Sequence, residues 1–296
     1  MIDKGLGAKV RTAVIYCLVI FLGLICLLPL INIVAISFSG SAAVSANRVG
    51  LLPVDFTTMA YTRIIQDSQF WRSFGISAIR VFLSLVLNLV LAIPMAYAMT
   101  KSKHEFGARN IYMNLLIFAM LFNGGMIPTY IVIQRLHLLN TIWALILPGA
   151  VPIFSVILMM NFFRGLPHAL EEAAVIDGAT PIQVLLMILV PCAKPSIATV
   201  SLFSIVGSWN DFFSGLIYMQ KVEDYPIMTY IQSLSIDLQE LVSNAASSSA
   251  LASAAELSNR NLNAAKIVVA VIPLLIIYPF LQKYLISGMT VGSVKE

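Results

Sequence analysis

Few residues in this 296-residue chain could do chemistry. His104, His137 and His168 are scattered and lack the spacing of metal ligands. The sequence has no Gly-x-x-x-x-Gly-Lys-Ser/Thr loop for a nucleotide, and no Gly-x-Ser-x-Gly or His-Glu-x-x-His motif for hydrolysis. Asp211 is the only acid inside a long apolar run. We therefore expect that the chain is not an enzyme and holds no metal or cofactor of its own.

The segment Arg164–Lys194 carries the most informative local pattern. Pro167 suits the first position of a helix, because its missing N–H is not needed there. Glu171 and Glu172 follow within about one turn, where the helix dipole favours acids. Asp177-Gly178 predicts the end, since glycine readily takes the left-handed cap conformation. We expect a helix of about ten residues, roughly 15 Å long.

This short helix allows two interpretations. Thr180-Pro181 predicts the cap and first residue of a second helix directly after it, and the first helix is too short to cross a membrane. It is either a plain interfacial loop helix or a docking element for a partner. Ala173 and Ala174 favour docking, because small side chains let another surface approach closely.

The amino-acid composition indicates the class of protein in which these residues lie. The chain is 59% hydrophobic and 11% charged, whereas soluble domains carry about 25% charged residues. This excludes a water-soluble globule and indicates a chain dissolved mostly in lipid. The net charge of +4 fits basic membrane loops, and nothing resembles a nucleic-acid surface. Cys17, Cys26 and Cys192 are expected to be buried small hydrophobes.

The apolar runs predict an all-α membrane protein with six transmembrane helices. Lys/Arg clusters in the short loops place both termini in the cytoplasm (N-in/C-in). We expect a cytoplasmic N-terminus at 1–12 and one transmembrane domain at 13–296, with a cytoplasmic loop at 164–194 and an outer loop at 221–266. The expected spans are about 13–38, 81–100, 111–133, 138–163, 195–219 and 267–286. Asn123-Gly124-Gly125 with Pro128, and Pro148 with Pro152, predict broken helices.

A polar stripe in the fifth span is a second candidate for function. Ser204, Ser208, Asp211 and Gly215 recur at steps of four, three and four, which puts them on one helix face. A charge at membrane depth faces a bundle interior or a wet cavity, whereas small residues also pack helices. Lining of a path and helix packing both remain open, and no basic partner for Asp211 is visible in the sequence. The residues predicted to line a translocation path are Asn88, Asn123, Ser208, Trp209, Asn210 and Asp211.

The loop resembles a known motif. Glu172-Ala173-Ala174-x-x-Asp177-Gly178-Ala179, followed by Ile188-x-Val190-Pro191, resembles the EAA motif of ABC importer permeases. Val190 and Leu185 replace the usual leucine and phenylalanine of that motif. We refer to residues 164–194 as the EAA loop.

Other segments resemble the carbohydrate-uptake (MalG-like) subfamily of these permeases. They are Pro53-x-x-Phe56-Thr57 with Tyr61, Ala96-Tyr97-Ala98, Trp209-Asn210-Asp211-Phe212, Tyr225-Pro226, and the tail from Gln282 to Lys295. Twelve of the sixteen residues Ser243–Ser258 are Ser or Ala. That tract departs from the maltose type and is similar to a branch that imports longer or uronate-containing oligosaccharides, such as alginate or pectin fragments.

The resemblance implies a type I ABC importer permease in the bacterial plasma (inner) membrane, which imports a carbohydrate. Its expected partners are an ABC ATPase dimer that holds ATP and magnesium, a second and different permease, an extracytoplasmic solute-binding protein, and lipid. The residues implied to couple the chain to the ATPase are Glu171, Glu172, Ala173, Ala174, Asp177, Gly178 and Ala179. Trp209 would either stack on a sugar ring or anchor at the interface. The alternatives are a permease for another small solute, a stand-alone secondary transporter, and a plain membrane scaffold.

Overall fold

The computed structural model describes residues 6–234, 260–280 and 282, and its regular elements there are all helical. The helices are α1 (Leu6–Ser37), α2 (Ser41–Ser45), α3 (Met59–Gln66), α4 (Ser68–Thr100), α5 (Arg109–Leu121), α6 (Met126–Arg135), α7 (Ile142–Ile146), α8 (Ile153–Arg164), α9 (His168–Ile176), α10 (Pro181–Gln183), α11 (Val190–Cys192), α12 (Lys194–Asn210), α13 (Phe213–Tyr218), α14 (227–234) and α15 (Arg260–Phe280). A π-helix, Val184–Leu189, joins α10 to α11.

Several helices have the length and composition of membrane spans. Within the described ranges, α1, α4 and α15 are each long and apolar enough to cross a bilayer alone. Three bent pairs pass the same test: α5 with α6 at 115°, α7 with α8 at 47°, and Pro181–Cys192 with α12 at 83°. The prediction of an all-α membrane protein is confirmed. Six spans result if each bent pair crosses once.

The helix breaks lie where the sequence predicts them. α5 ends at Leu121 and α6 begins at Met126, with Gly125 at a φ of 90°, a conformation that favours glycine. The amide of Gly125 donates to Oδ1 of Asn123 over 2.9 Å. A 3₁₀ turn, Leu147–Gly149, precedes Pro152 and the start of α8. Both broken helices are therefore confirmed.

α1 and α15 each begin about seven residues before the expected spans, at Leu6 and Arg260. Two further differences concern the polar residues. α4 begins at Ser68 rather than near residue 81, so Arg80 lies inside the helix instead of at its boundary. In the fifth span, α12 ends at Asn210 and a separate short helix begins at Phe213. The stripe predicted along one continuous helix is therefore interrupted at Asp211.

One compact unit comprises Met1–Ser68 and Ile231–Val271. In it the first outer loop folds onto the end of α1: the ring of Phe38 lies 5.6 Å from that of Phe56 and 4.7 Å from that of Tyr61. The Oγ of Ser37 and the hydroxyl of Tyr61 share a 2.8 Å hydrogen bond. Two of the subfamily-like residues, Phe56 and Tyr61, thus hold this loop in place. The Ser/Ala tract and tail residues 283–295 lie outside the described residues.

The other unit comprises Gln69–Tyr230 and Ile272–Glu296. Its main core contains Ala92 and Ala96 of α4 together with Val156 and Met159 of α8, all fully buried. Alanines allow close approach of helices in a membrane, where packing replaces the hydrophobic effect as the driving force. α4 and α8 are thereby held in a fixed relation, and both contribute to the sites described below.

Candidate functional site: a polar cavity and the EAA loop

A cavity of about 390 Å³ lies between α4, the broken α7–α8 region, α12 and α13. Polar and apolar residues both contribute to its wall. The polar lining residues are Arg80, Ser84, Asn88, Ser155, Ser204, Ser208, Asp211 and Ser214. The apolar part of the wall includes Leu145, Ile146 and Phe203. We refer to this space as the polar cavity.

The α4 side of the polar cavity follows from residue spacing. Arg80, Ser84 and Asn88 recur every four residues and therefore share one helix face. All three are buried, as are Ser77 before them and Ala92 after them. A stripe of small and polar residues at this spacing was a readable signal. The expected second span begins only at residue 81, so Arg80 lies outside it and the stripe is not part of the prediction.

Arg80 pairs with Asp211 across the polar cavity. Its Nη2 lies 2.5 Å from Oδ2 of Asp211, and its Nη1 donates to the Asp211 carbonyl over 3.0 Å. Nη2 also donates to the carbonyl of Leu145 over 3.3 Å. The Arg80 side chain is 4% exposed and that of Asp211 is 29% exposed. A charge buried to this degree requires such a partner, because isolated ions are very costly in an apolar medium.

The expectation that Asp211 lacks a basic partner is therefore wrong. Arg80 lies 131 residues before it in the chain, and only the packing of α4 against the end of α12 brings the two together. A guanidinium does not release its proton in proteins. The pair consequently balances charge in the wall of the polar cavity.

Asn88 satisfies backbone groups that the broken helix leaves open. Its Nδ2 donates to the carbonyls of Gly149 and Ala150, over 3.2 and 3.1 Å. These carbonyls lie at the 3₁₀ turn before Pro152, where a regular helical ladder is interrupted. Asn88 thus hydrogen-bonds between helices and also lines the polar cavity.

The polar stripe on α12 divides at the helix end. Ser204, Ser208 and Asp211 line the polar cavity. Gly215 is not among the lining residues, and a Cβ at that position would come within 2.1 Å of Oγ1 of Thr229. Gly215 therefore serves close packing, as the second interpretation of the stripe proposed, and the other three residues face the cavity.

The remaining predicted path residues do not line the polar cavity. Trp209 is buried, and its ring meets that of Phe74 edge-on at 5.4 Å. Asn210 is exposed and donates to the carbonyl of Val206. Asn123 is exposed at the break between α5 and α6. The structure thus brings together Asn88, Ser208 and Asp211 from the predicted set and places the other three elsewhere.

The EAA loop contains the expected short helix. α9 has nine residues, His168–Ile176. Pro167 is its N-cap rather than its first helical residue, a difference of one position. Gly178 has a φ of 80°, which confirms the predicted left-handed turn after the helix.

A capping box begins the next helix. The amide of Gln183 donates to Oγ1 of Thr180 over 3.4 Å, and the amide of Thr180 donates to Oε1 of Gln183 over 2.8 Å. The predicted cap at Thr180 is confirmed. The π-helix that follows, Val184–Leu189, is a form often found at functional sites.

α9 turns one side towards the body of the chain. The Glu171 carboxylate forms an ion pair with Lys101 and accepts a hydrogen bond from the Tyr97 hydroxyl over 3.1 Å. Ala174 is 6% exposed and belongs to the main core. The proposal that Ala174 leaves room for a partner surface therefore needs correction, because its small side chain serves packing within the chain. Ala179 is partly buried against the same core.

The opposite side of α9 is open. The predicted coupling residues exposed there are Glu172, Ala173, Asp177 and Gly178. Val175 and Ile176 are exposed beside them, Ile176 to 85%, and so is Ile182. Exposed apolar side chains next to a charged one are typical of an interaction surface. These three apolar residues are not among the predicted coupling residues.

Lys101 lies at the junction of α4 and the loop that follows it. Its ammonium lies 4.4 Å from the centre of the Tyr97 ring. Burial lowers the pKa of Lys101, and the nearby Glu105 carboxylate opposes that shift. Hydrogen bonds from Ser102 in turn lower the pKa of Glu105. Lys101 therefore connects the end of α4 to Glu171 on α9.

A helical membrane bundle with a polar cavity and an exposed loop helix has the architecture of a transport protein. The chain belongs to the family described as the binding-protein-dependent transport system inner membrane component, which matches residues 77–291. It is accordingly a transport permease subunit and a multi-pass protein of the bacterial plasma membrane.

Curated relatives match almost the whole chain. Protein LplC of Bacillus subtilis is 41% identical over 282 residues, 94% of each chain. The polygalacturonan/rhamnogalacturonan transport system permease protein YtcP of the same organism is 35% identical, covering 95% of this chain and 96% of its own. The arabinooligosaccharides transport system permease protein AraQ of Halalkalibacterium halodurans is 28% identical over 93% of both chains.

A solved structure has the same fold. A chain of a bacterial ABC transporter involved in the import of the acidic polysaccharide alginate aligns with a TM-score of 0.83 and 31% identity. The alignment covers 96% of this chain and 100% of that chain. The ABC importer permease fold is thereby confirmed.

Proposed function

We propose that this chain forms part of the translocation path of a carbohydrate ABC importer and couples that path to ATP hydrolysis in a separate subunit. The observation that carries the proposal is that α9 is anchored on one side and exposed on the other. Glu171 and Ala174 hold the helix to the body of the chain, while Glu172, Val175 and Ile176 face outwards. A helix held on one side and open on the other can transmit movement of a partner to the spans.

The proposed partners follow from this arrangement. An ABC ATPase dimer, which holds ATP and magnesium, receives the exposed face of α9 in a cleft. Glu172 contacts a basic group there, and Gly178 permits the turn that follows. A second, different permease completes the path, and an extracytoplasmic solute-binding protein delivers the substrate to the outer loops. This arrangement requires the N-in/C-in orientation.

The proposed substrate class is an oligosaccharide. Relatives named for arabinooligosaccharides and for polygalacturonan/rhamnogalacturonan support this class, as does the neighbour involved in alginate import. The polar cavity supports it independently, because hydroxyl and amide side chains can replace the hydrogen bonds that a sugar loses when it leaves water. Neutral and uronate-containing oligosaccharides both belong to this proposed substrate class.

ATP hydrolysis by the co-purified complex in proteoliposomes tests this proposal. We expect hydrolysis that depends on a co-purifying ATPase and rises when the solute-binding protein and one oligosaccharide are added together. Uptake of that sugar should require ATP. If no ATPase co-purifies and an ion gradient drives uptake instead, the coupling role is wrong and a stand-alone secondary transporter replaces it.

A further inference from the structure

The ends of three helices meet beside the EAA loop at one backbone oxygen. Met99 directly precedes the last residue of α4, Arg109 is the first residue of α5, and Arg164 is the last residue of α8. Nε of Arg109 donates to the carbonyl of Met99 over 3.1 Å, and Nη2 of Arg164 donates to the same carbonyl over 3.0 Å. Two guanidinium groups are therefore held close together at this point.

The two arginines have no carboxylate partner within the described part of the chain. Neither forms an ion pair there, and besides the shared carbonyl Arg109 donates only to Oδ1 of Asn110, over 3.2 Å. One positive side chain is enough to cap the end of a helix, because a cation interacts favourably with the last carbonyls. Capping does not account for the second charge, or for most of the five N–H donors on each guanidinium.

The acids of this region leave a surplus of positive charge. Glu171 forms its ion pair with Lys101, and Glu105 hydrogen-bonds within its own turn. Both acids line a cavity of about 100 Å³ that Lys101 and Arg164 also line, so the charges of these four side chains balance. Arg109 does not line that cavity. Its positive charge is therefore left over, close to the guanidinium of Arg164.

The surroundings of the arginines are those of a membrane boundary. The ring of Tyr112, about one turn after Arg109, stacks on that of Phe106 at 5.7 Å, and tyrosine is enriched at headgroup level. Tyr112, Leu115 and Phe118 are each more than half exposed, and α5 has no buried residue. An exposed apolar helix that begins at a pair of arginines suits a lipid, whose acyl chains contact the helix while its headgroup contacts the arginines.

We propose that Arg109 and Arg164 together bind the phosphate of an anionic phospholipid, in the leaflet on the EAA-loop side of the membrane. Arginine suits this ligand, because its planar set of N–H donors matches phosphate oxygens. A lipid with a net negative charge is favoured over a zwitterionic one, since it compensates the surplus positive charge. The site lies apart from the polar cavity, and the inference does not depend on which solute is imported.

Lipid retention by the purified protein, together with the subunits that co-purify, tests this site. The complex is equilibrated in detergent micelles that contain equal amounts of phosphatidylglycerol and phosphatidylcholine. It is then separated from free micelles, and its retained lipids are quantified by mass spectrometry. The wild type should retain more phosphatidylglycerol than phosphatidylcholine. Arg109→Gln combined with Arg164→Gln should lower this ratio several-fold.

A second variant keeps both arginines. Asn110→Asp places a carboxylate where an amide oxygen now accepts from Arg109, so it compensates the surplus charge from within the chain and should also lower the ratio. Lys103→Gln is the matched control, because it removes a positive charge from the same loop at an exposed residue that does not contact the Met99 carbonyl. Its ratio should equal that of the wild type.

Four results would overturn the proposal. The first is a wild type without preference for phosphatidylglycerol, or an intact double variant or Asn110→Asp complex with the wild-type ratio. The second is an equal loss in Lys103→Gln, which would show diffuse attraction by the loop. The third is loss of the preference in inorganic phosphate but not in chloride of equal ionic strength, which would assign the site to a soluble anion. The fourth is release of a co-purifying ATPase from the double variant at an unchanged lipid ratio, which would assign the arginines to that protein.

Discussion

At the scale of single residues, the Arg80–Asp211 pair joins α4 to the end of α12. Removing one partner of a buried ion pair leaves the other charge uncompensated, which typically costs about 3–5 kcal/mol. We expect Asp211→Leu to lower the free energy of unfolding by roughly 2–3 kcal/mol, below that range, because Asp211 is partly exposed.

A double-mutant cycle measures this coupling. Unfolding in detergent should be compared for Asp211→Leu, Arg80→Met and the double variant. Two apolar side chains of similar size should recover most of the lost stability, since an ion pair roughly balances its own desolvation cost. Strictly additive losses would show that the two residues do not interact.

Uptake should fall in Asp211→Leu if the residue lines the path.

The Lys101–Glu171 pair gives a second prediction at this scale. Lys101→Glu and Glu171→Lys should each increase the ATP hydrolysed per sugar imported several-fold, because α9 loses its ionic connection to the end of α4. The combined charge swap should restore the coupling ratio. Lys103→Glu is the matched control, since Lys103 is an exposed lysine two residues away. If the swap behaves like the worse single variant, the pair does not position the helix.

At the scale of elements, the turn after α9 depends on a left-handed residue. Among the described residues, no atom beyond Gly178 and its two chain neighbours lies within 4 Å of a Cβ built there, so a substitution acts through backbone strain and not through a clash. Gly178→Ala should cost about 1–2 kcal/mol of local stability, and Gly178→Asn less, because asparagine tolerates this conformation. Hydrogen exchange of the α9 amides measures the difference. If the α9 amides of both variants are as well protected as those of the wild type, the turn carries no strain.

The open face of α9 gives a further prediction for this element. Glu172→Lys should abolish substrate-stimulated ATP hydrolysis while the protein remains inserted, because it reverses the charge offered to the ATPase. Lys103→Glu serves again as the control for a charge reversal on an exposed loop. Normal stimulation in Glu172→Lys would remove this residue from the docking surface.

At the scale of the whole molecule, the orientation in the membrane is testable by labelling. Cys17, Cys26 and Cys192, which are exposed in the chain and not buried as the sequence predicts, are first replaced by serine. In that background, Leu52→Cys should react with an impermeant thiol reagent added outside intact cells, because Leu52 is exposed in the first outer loop. Ala173→Cys should react only in inside-out vesicles. The reverse pattern would contradict the N-in/C-in arrangement.

Local features of this chain were readable from the sequence. Pro167, Gly178 and the Thr180 capping box act within a few residues of themselves, so the EAA loop could be described before its structure was known. The helix breaks at Gly125 and Pro152 were readable for the same reason. Each of these signals is a backbone preference or a missing donor, which needs no distant contact to act.

Only the tertiary structure decided which polar residues meet. Arg80 and Asp211 belong to different apolar runs. Taken alone, the first run predicts a span that begins after Arg80, and the second shows Asp211 without a visible basic partner. Burying a charge is costly unless a partner compensates it. A partner far away in the chain cannot be recognised from one apolar run, so the sequence does not show how the charge is compensated. The same holds for Glu171 and Ala174, whose inward direction depends on what α9 packs against. Local preferences therefore determined the helices and their ends, while long-range packing determined the cavity and the orientation of the loop helix.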